Sequence, residues 1–467
     1  MRDDTSPMVE AGPATAIPRP RMSLALKLVF SVGQLGWSLT TFLANNLLAY
    51  FYVPPENGGE GIPAFVPRGA LLGLLTVVGL AAFAARLFDG VNDPLIAGLS
   101  DRSRSRLGRR RTFMAIGAVP AVAMALAQFW PPVAGVSGLN VAWLFGTALL
   151  GTVFLTMYVM PYNALIAELG ADSKDRLLLA ALTSVTWAVG FASGNAVYAI
   201  KDALVAGGAT PLAAFRTATG LLGAVAVIAM LVPVFAINER KYASGGVSDA
   251  PAFGAIREAL RDRPFRVLVG ASFLYYTANT FLEIGIAYYV GALMGLPESQ
   301  AFTLSVAIFG LSFLWYPAVM RAAGRLGKKR VLSLGFVAQV FVFCVIPLVG
   351  LAPSVPVLAW AVVIAVGQSA ASAAFGILPT AMVADAARAH SARTGSSIEG
   401  AYFGVNSFAM KLAVSTANLA FPSFLLLGRS AERSLGIRLS GAAAAALTLA
   451  GYLVLRRYEE AEEAEEA

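Results

Sequence analysis

Two long stretches of this chain carry no charged residue, and they constrain the fold more than any other feature. Neither 112–167 nor 331–384 contains Asp, Glu, Lys or Arg. Turn-forming prolines interrupt both stretches, Pro131 and Pro132 in the first and Pro353 in the second. Each part is then about as long as the roughly 20 apolar residues that a helix needs to cross a bilayer. The pattern predicts two pairs of membrane-spanning helices.

The composition extends this prediction to the whole chain. Of the 467 residues, 57% are hydrophobic and 13% are charged, whereas soluble domains carry about 25% charged residues. No segment shows the sustained alternation of membrane β-strands. We expect an all-α membrane protein with twelve transmembrane helices in two pseudo-symmetric six-helix bundles. The predicted spans are 24–52, 69–99, 112–131, 140–168, 177–201, 212–237, 265–294, 299–320, 331–350, 356–386, 400–428 and 435–455.

Lys and Arg residues gather in every second loop. Of the 35, 27 lie on the side of the N terminus, 6 lie on the opposite side and 2 lie inside spans. Because cytoplasmic loops are enriched in Lys and Arg, we expect both termini in the cytoplasm and the chain in the inner (cytoplasmic) membrane. The basic loops then act as topology signals and not as a nucleic-acid surface, so we expect the lipid bilayer as a partner and no nucleic acid. We also expect a monomer.

One motif recurs in both halves of the chain. Gly108 is followed by three arginines and Gly327 by Lys-Lys-Arg, in each case after the second span of a half. Two repeats with a site between them are the typical architecture of a secondary transporter. The predicted parts are an N-terminal tail (1–23), a first bundle (24–237), a cytoplasmic central loop (238–264), a second bundle (265–456) and an acidic tail (457–467).

Enzymatic functions find little support in the residue types. The chain has one cysteine, Cys344, in an apolar run, and one histidine, His390, in a polar stretch. A disulfide framework, a cysteine metal cluster and a histidine-based site inside the membrane are therefore excluded. We expect neither an enzyme nor a resident cofactor.

Charges within predicted spans are the main candidates for function, because each costs about 2.5–3.5 kcal/mol to insert. Helical spacing places Arg86, Asp89 and Asp93 on one face. Two ionised carboxylates one turn apart repel each other, and a bound Na⁺-like cation or a proton relieves that repulsion. Asn92 offers a further oxygen of the hard type that such ions prefer. A static Arg86–carboxylate pair is the alternative, but one Arg neutralises only one Asp.

Lys411 lies in the middle of the predicted eleventh span. It shares one helical face with Gly404, Ser407, Ser415 and Asn418. Because it is more than ten residues from either helix end, snorkelling to the membrane surface explains it poorly. We expect Lys411 to pair with the two aspartates and to sense whether a cation is bound.

Glu283 and Asn279 share a face of the seventh span, and two interpretations stay open for them. Glu283 is either a proton site or an acceptor for the substrate, or it is a partner of Lys411 or Arg86 that holds the halves together.

Weaker substrate-binding candidates are Gln34, Ser38, Tyr162 and Trp187. The first two belong to a polar stripe that suits a water-filled path, and the two aromatic residues suit stacking on a ligand. Ordinary interhelical hydrogen bonds, of roughly 0.6 kcal/mol each, and aromatic packing are the alternatives.

These residues together resemble the glycoside–pentoside–hexuronide:cation symporters, the melibiose permease-like family of the major facilitator superfamily. The resemblance rests on Arg86-x-x-Asp89-x-x-Asn92-Asp93-Pro94, on the loop Ser100–Arg111, on Pro161–Leu169 with Asp175-Arg176, and on Glu399-Gly400 before Lys411.

The resemblance implies cation-coupled symport of a sugar or glycoside-like solute by alternating access. It further implies that Asp89 and Asp93 hold Na⁺, Li⁺ or H⁺, with Asn92 and Thr156 nearby. Arg86 and Lys411 would couple this ion to the solute. The residues expected to form a cytoplasmic gate are Asp101, Arg102, Arg109 and Arg110.

The chain departs from the sugar-binding members of that family at three positions. Those members carry an Asp where this chain has Ser38, an Asp near Val159 and an Arg near Ser184. A cation-coupled transporter of a lysolipid or another amphipathic solute is therefore one alternative. A proton-coupled exporter and a transport-inactive membrane assembly factor are two others.

Overall fold

The computed structural model describes residues 20–56, 62–69, 75–170, 173–243, 253–394 and 398–459. Most of the predicted N-terminal tail, part of the central loop and most of the acidic tail lie outside these ranges. Twelve α-helices of 18 residues or more occur in the described ranges. They are α1 Leu24–Asn45, α2 Val77–Arg102, α3 Arg109–Ala127, α4 Gly138–Leu169, α5 Ser173–Ser193, α6 Pro211–Ala236, α7 Arg263–Tyr288, α8 Gln300–Leu326, α9 Lys328–Val345, α10 Val357–Thr394, α11 Glu399–Phe424 and α12 Leu435–Leu455.

Short segments lengthen three of these helices. Leu47–Tyr52 continues α1, Ala196–Ala206 continues α5, and the π-helical turn Tyr289–Leu293 continues α7. Nine helices among the described residues are long and apolar enough to cross a membrane. The three remaining long helices are α1, α2 and α7, which carry many of the polar and charged residues singled out above.

Many large apolar side chains on the long helices are exposed, as a lipid-facing surface requires. Leu177 and Phe235 are both 72% exposed and Leu314 is 75% exposed. A soluble protein rarely leaves side chains of this kind in water. The exposed apolar surface and the nine spans show a multi-pass membrane protein.

The helices pack in two groups of six with the same pattern in each. In the first group α1 packs on α5 and α6, α4 packs on α2 and α3, and α3 packs on α6. The same pairs recur six helices later: α7 on α11 and α12, α10 on α8 and α9, and α9 on α12. We call α1–α6 the N-terminal half and α7–α12 the C-terminal half. The predicted all-α fold with pseudo-symmetric bundles is confirmed, while the domain limits stay a prediction.

The repeated glycine motif has the same backbone conformation in both halves. Gly108 directly precedes α3 with φ +118°, and Gly327 directly precedes α9 with φ +88°. Side chains other than hydrogen are strained at such positive φ values, which explains glycine at both turns.

The two halves touch at one membrane face and separate at the other. We call the face where α1 begins and α12 ends the terminal face, and the opposite one the far face. Hydrogen bonds and ion pairs between described residues of different halves lie at mid-depth, between α2 and α11, or at the far face. Nearer the terminal face, the ion pairs among described residues each stay within one half. The described contacts between the halves therefore close the far face, whereas at the terminal face the described parts of the two halves form no ion pair with each other.

Candidate cation and substrate site

The two aspartates of α2 meet the lysine of α11 at mid-depth. Lys411 Nζ lies 2.8 Å from Asp89 Oδ2 and also contacts Asp93 Oδ2. Arg86 is a looser neighbour, with its guanidinium 3.8 Å from Asp89 Oδ2. Two negative and two positive side chains thus form a neutral cluster, with the Lys411 ammonium in contact with both carboxylates.

Two predicted ion ligands lie at this cluster or next to it in sequence. Thr156 of α4 donates its hydroxyl to Asp89 Oδ1 at 2.8 Å and lies 3.3 Å from Asp93 Oδ1. Asn92 is 6% exposed, and its Nδ2 has no partner among the described residues. The side chains of α2 and α4 therefore supply two carboxylates and a hydroxyl, which suit a monovalent ion. Among the described residues, no group of three or more His, Cys, Asp or Glu is arranged for a metal ion.

A small cavity with mostly apolar walls and a few polar side chains lies beside Asp89, inside the N-terminal half. Its volume is about 30 Å³, and its polar walls include Arg86, Asn45, Gln128 and Thr152. A buried water needs on the order of 10–15 Å³ of such volume together with polar partners. Arg86 Nε and Gln128 Oε1 lack partners among the described residues, so this space is suited to water that hydrates Asp89.

A glycine allows α2 and α11 to approach closely enough for this contact. A Cβ atom added at Gly79 would lie 2.7 Å from the carbonyl oxygen of Leu419, a distance that no ordinary contact allows. Gly79 belongs to the N-terminal half and Leu419 to the C-terminal half. The bare backbone at Gly79 therefore permits close packing of α2 on α11, the two helices that carry the aspartates and Lys411.

A second polar cluster lies in the C-terminal half, between α7 and α10. Asn279 Nδ2 donates to Glu283 Oε1 at 2.8 Å, and Gln368 Nε2 donates to Asn279 Oδ1 at 2.8 Å. Gln368 also lies 3.2 Å from Ser372 Oγ. No described Lys or Arg forms an ion pair with Glu283, so neither predicted partner, Lys411 or Arg86, is bound to it here.

The remaining substrate candidates lie apart from both clusters. Ser38 is fully buried and donates to the Leu35 carbonyl, and Tyr162 is fully buried and donates to the Phe30 carbonyl. The Ser38 bond lies within α1, whereas the Tyr162 bond joins α4 to α1 in this conformation.

Gln34 and Trp187 have different surroundings. Gln34 is 8% exposed with Oε1 unpartnered among the described residues. Trp187 is half-buried and stacks on Phe191 with ring centroids 5.1 Å apart. Gln34 and Trp187 therefore remain better candidates for binding a solute than Ser38 and Tyr162, whose hydroxyls already form hydrogen bonds.

Three of the four predicted gate residues form one ionic cluster at the terminal face. Arg110 lies 2.6 Å from Asp101 Oδ1, and Arg109 and Arg110 lie 2.8 and 2.9 Å from Glu168 Oε1. Arg102 is exposed, and no contact of its side chain is recorded among the described residues. The cluster ties α2, α3 and α4 together within the N-terminal half.

Sequence reasoning missed several buried charges. Glu168, which was not among the predicted site residues, binds two arginines. At the far face, Lys201 and Glu298 are 3% and 6% exposed and contact each other and Tyr50. The available signal was weak, because all three charges lie near helix ends, where exposed charges are common.

The chain is similar to known transport proteins. A family model described as MFS/sugar transport protein matches residues 29–428. The chain is 26% identical over 299 residues to the putative glycoside/cation symporter YagG of Escherichia coli (strain K12), which covers 64% of this chain and 58% of the relative. It is 20% identical over 332 residues to the isoprimeverose transporter of Lactiplantibacillus pentosus, which covers 70% and 65%. The chain thus spans less than two thirds of the length of these curated relatives.

Solved transporters have the same fold. The nucleoside transporter NupG superposes with a TM-score of 0.63 at 12% identity, covering 93% of this chain and 100% of that one. A D-xylose–proton symporter superposes with a TM-score of 0.63 at 15% identity, covering 94% and 98%. At these identities the likeness shows the fold alone.

Proposed function

The chain belongs to the MFS/sugar transport protein family, and from this premise we propose that it couples Na⁺, Li⁺ or H⁺ to the movement of a sugar or glycoside-like solute by alternating access. Membership of a transport family confirms that the chain is a transporter rather than an enzyme. The choice of solute class is supported by relatives named as glycoside/cation symporter and isoprimeverose transporter.

One observation carries the proposal: the ammonium of Lys411 contacts both Asp89 and Asp93. This arrangement shows that the carboxylates accommodate a monovalent positive charge. A coupling cation and Lys411 are then alternative occupants, because both together with Arg86 would give the cluster an excess positive charge. A cation or proton that binds the aspartates releases Lys411.

The released lysine provides the link to the solute. Lys411 belongs to α11, which packs on both α2 and α7, so its freed ammonium can donate to a hydroxyl or carboxylate of a solute between the halves. On the C-terminal side, Glu283, Asn279 and Gln368 offer acceptors and donors suited to sugar hydroxyls. Solute binding thereby favours the cation-loaded site, and cation binding favours the solute.

The different contacts at the two faces support the proposal of alternating access. With both termini in the cytoplasm of a cell with an inner membrane, the terminal face is cytoplasmic and the structure is inward-facing. The arginine cluster with Asp101, Arg109, Arg110 and Glu168 keeps the cytoplasmic ends of α2, α3 and α4 moving as one body. We expect the two halves to rock about the cation site as a monomer.

The direct test is uptake into proteoliposomes that contain the full chain. Imposed gradients of Na⁺, Li⁺ or H⁺ are each paired with a panel of labelled pentoses, hexoses and glycosides, and with a lysophospholipid. Accumulation of a sugar driven by one of the gradients supports the proposal. Gradient-driven accumulation of the lysolipid alone would replace the sugar with an amphipathic solute. Absence of any gradient-driven uptake by correctly folded protein would overturn the coupling.

A further inference from the structure

We propose that Tyr50, Lys201 and Glu298 form a charged gate at the far face, and that its opening sets the balance between the two orientations of the transporter. These residues are separate from the cation and solute clusters. The proposal rests on alternating access as proposed above, but on no particular solute or coupling ion.

The geometry joins the two halves through a single carboxylate. Glu298, which precedes α8, contacts both the ammonium of Lys201 and the hydroxyl of Tyr50. Lys201 Nζ also donates to Tyr50 Oη at 2.7 Å. Next to this trio, the backbone N–H of Ser299 donates to Asp202 Oδ2 at 2.9 Å. All of these bonds except that between Lys201 and Tyr50 cross between halves.

The trio is buried, so the stability of the closed far face depends on whether its charges are paired. Tyr50 is fully buried, Lys201 is 3% exposed and Glu298 is 6% exposed. When a charged pair is buried, its attraction is largely offset by the loss of hydration, so an intact pair adds little net stability. Removing one partner instead leaves the other charge buried and uncompensated, which strongly disfavours the closed face. Separation into a water-filled opening rehydrates both charges, so an intact gate can open and close reversibly.

Among the described residues, the neighbouring contacts at this face include one more ion pair between the halves, Arg429 with Glu56 at 3.6 Å, and it is more exposed than the trio. Tyr288 donates its hydroxyl to the Val53 carbonyl at 2.8 Å, and Arg429 Nε donates to the Pro54 carbonyl at 2.9 Å. At the terminal face, by contrast, the ion pair of Lys328 and Asp385 lies within the C-terminal half. Breaking that pair leaves the contact between halves unchanged, which makes it a matched control.

Two cysteines placed on opposite sides of the cation site report the orientation. The native Cys344 is replaced by Ser. Val53→Cys is placed at a position that is 1% exposed beneath the closed far face. Gly404→Cys is placed on the face of α11 that carries Lys411, where an added Cβ meets nothing within 4 Å. The rate of modification by a membrane-impermeant maleimide is measured on the full chain in nanodiscs, where both faces are accessible.

Opening the gate should move the two rates in opposite directions. In Lys201→Met, and in the milder Glu298→Gln, we expect modification at position 53 to rise roughly tenfold or more while modification at position 404 falls. The double replacement of Lys201→Glu with Glu298→Lys should bring both rates back towards those of the unmodified gate. Lys328→Met should leave both rates unchanged.

Three results would overturn the gate: rates within twofold of the parent in both single variants, a rise at both positions, which indicates loosened packing, or no recovery in the charge-swapped pair. None of these depends on transport. A parent protein that drives no solute with any cation gradient would instead overturn the proposed function and leave the labelling result standing.

Discussion

Lys411 is the residue that gives the aspartate pair its dual character. Its ammonium neutralises Asp89 and Asp93 in this conformation, so the carboxylates stay close together without a bound ion. Arg86, at 3.8 Å from Asp89, is too loosely placed to do this alone. The cation and the lysine therefore compete. An incoming cation binds the two carboxylates only by displacing the Lys411 ammonium, which can then bind the solute.

Replacing Asp93 with Asn tests the carboxylate requirement. The amide keeps the shape but removes one charge, so we expect cation affinity to fall roughly tenfold to a hundredfold, the equivalent of about 1.5–3 kcal/mol for a charged ligand contact. The measurement is the concentration of Na⁺, Li⁺ or H⁺ that gives half-maximal uptake. Asp385→Asn, which removes a half-exposed carboxylate at the terminal face, is the control and should leave that concentration unchanged.

Replacing Lys411 with Gln separates cation binding from coupling. Loss of the competing ammonium should tighten cation binding, so a cation should raise the melting temperature more in the variant than in the parent. Solute accumulation should be lost, because no displaced lysine reaches the solute. Equal or weaker cation stabilisation in Lys411→Gln would show that the lysine and the cation do not compete. Lys328→Gln serves as the control for removing an amine elsewhere.

Residues differ sharply in how well the sequence predicts them. Asp89, Asp93 and Lys411 were identifiable because a charged side chain in the middle of an apolar span costs free energy to insert and is rarely present without a function. Lys201 and Glu298 look like ordinary loop charges, since their burial arises only when the far ends of two distant helices meet. For Ser38 and Tyr162 the sequence suggested a role in binding, but the Ser38 hydroxyl donates within its own helix and the Tyr162 hydroxyl donates to a neighbouring helix.

At the scale of elements, the crossing of α2 and α11 determines whether the site exists at all. Gly79→Ala would place a Cβ only 2.7 Å from the Leu419 carbonyl oxygen, which is too close for an ordinary contact. The helices must then separate by some tenths of an ångström, which lengthens the contacts of Lys411. We expect a several-fold loss of gradient-driven uptake although no ligand residue changes.

The matched control for this crossing lies on the same helix. At Gly98 an added Cβ meets nothing within 4 Å, so Gly98→Ala should retain uptake. Both variants are compared at equal amounts of folded protein, judged by gel filtration in detergent. Equal uptake by the two variants would show that the close approach at Gly79 is not needed for transport.

The N-terminus of α3 carries positive side chains that interact unfavourably with the helix dipole. Three arginines occupy the first turn, where positive side chains are unfavourable. Glu239 offsets this by accepting the backbone N–H groups of Arg110 and Arg111 at distances of 3.0–3.2 Å. The sequence motif predicted the loop, but this acceptor comes from 128 or more residues away along the chain and was not predictable locally.

At the scale of the whole molecule, apolar stretches long enough to cross a bilayer predicted the twelve helices, and the recurrence of a glycine–basic motif predicted the two halves. The packing confirms the repeat, since each principal helix pair of the first half recurs in the second. What the sequence does not specify is which face the halves close. That depends on a few contacts between distant segments, such as Lys201 with Glu298, and on nothing periodic.

The orientation of the whole molecule in the membrane decides what the closed far face means. Because the predicted topology puts 27 of the 35 Lys and Arg residues on the side of the N terminus, we expect the terminal face in the cytoplasm. Alkaline phosphatase fused after residue 459 should be inactive, while the same enzyme fused after Gly135, in the exposed turn between α3 and α4, should be active outside. The reverse pattern would place the open side of the structure outside the cell. Glu298 and Lys201 would then gate the release of solute into the cytoplasm rather than its entry from outside. The competition between Lys411 and a cation for Asp89 and Asp93 would be the same in either orientation.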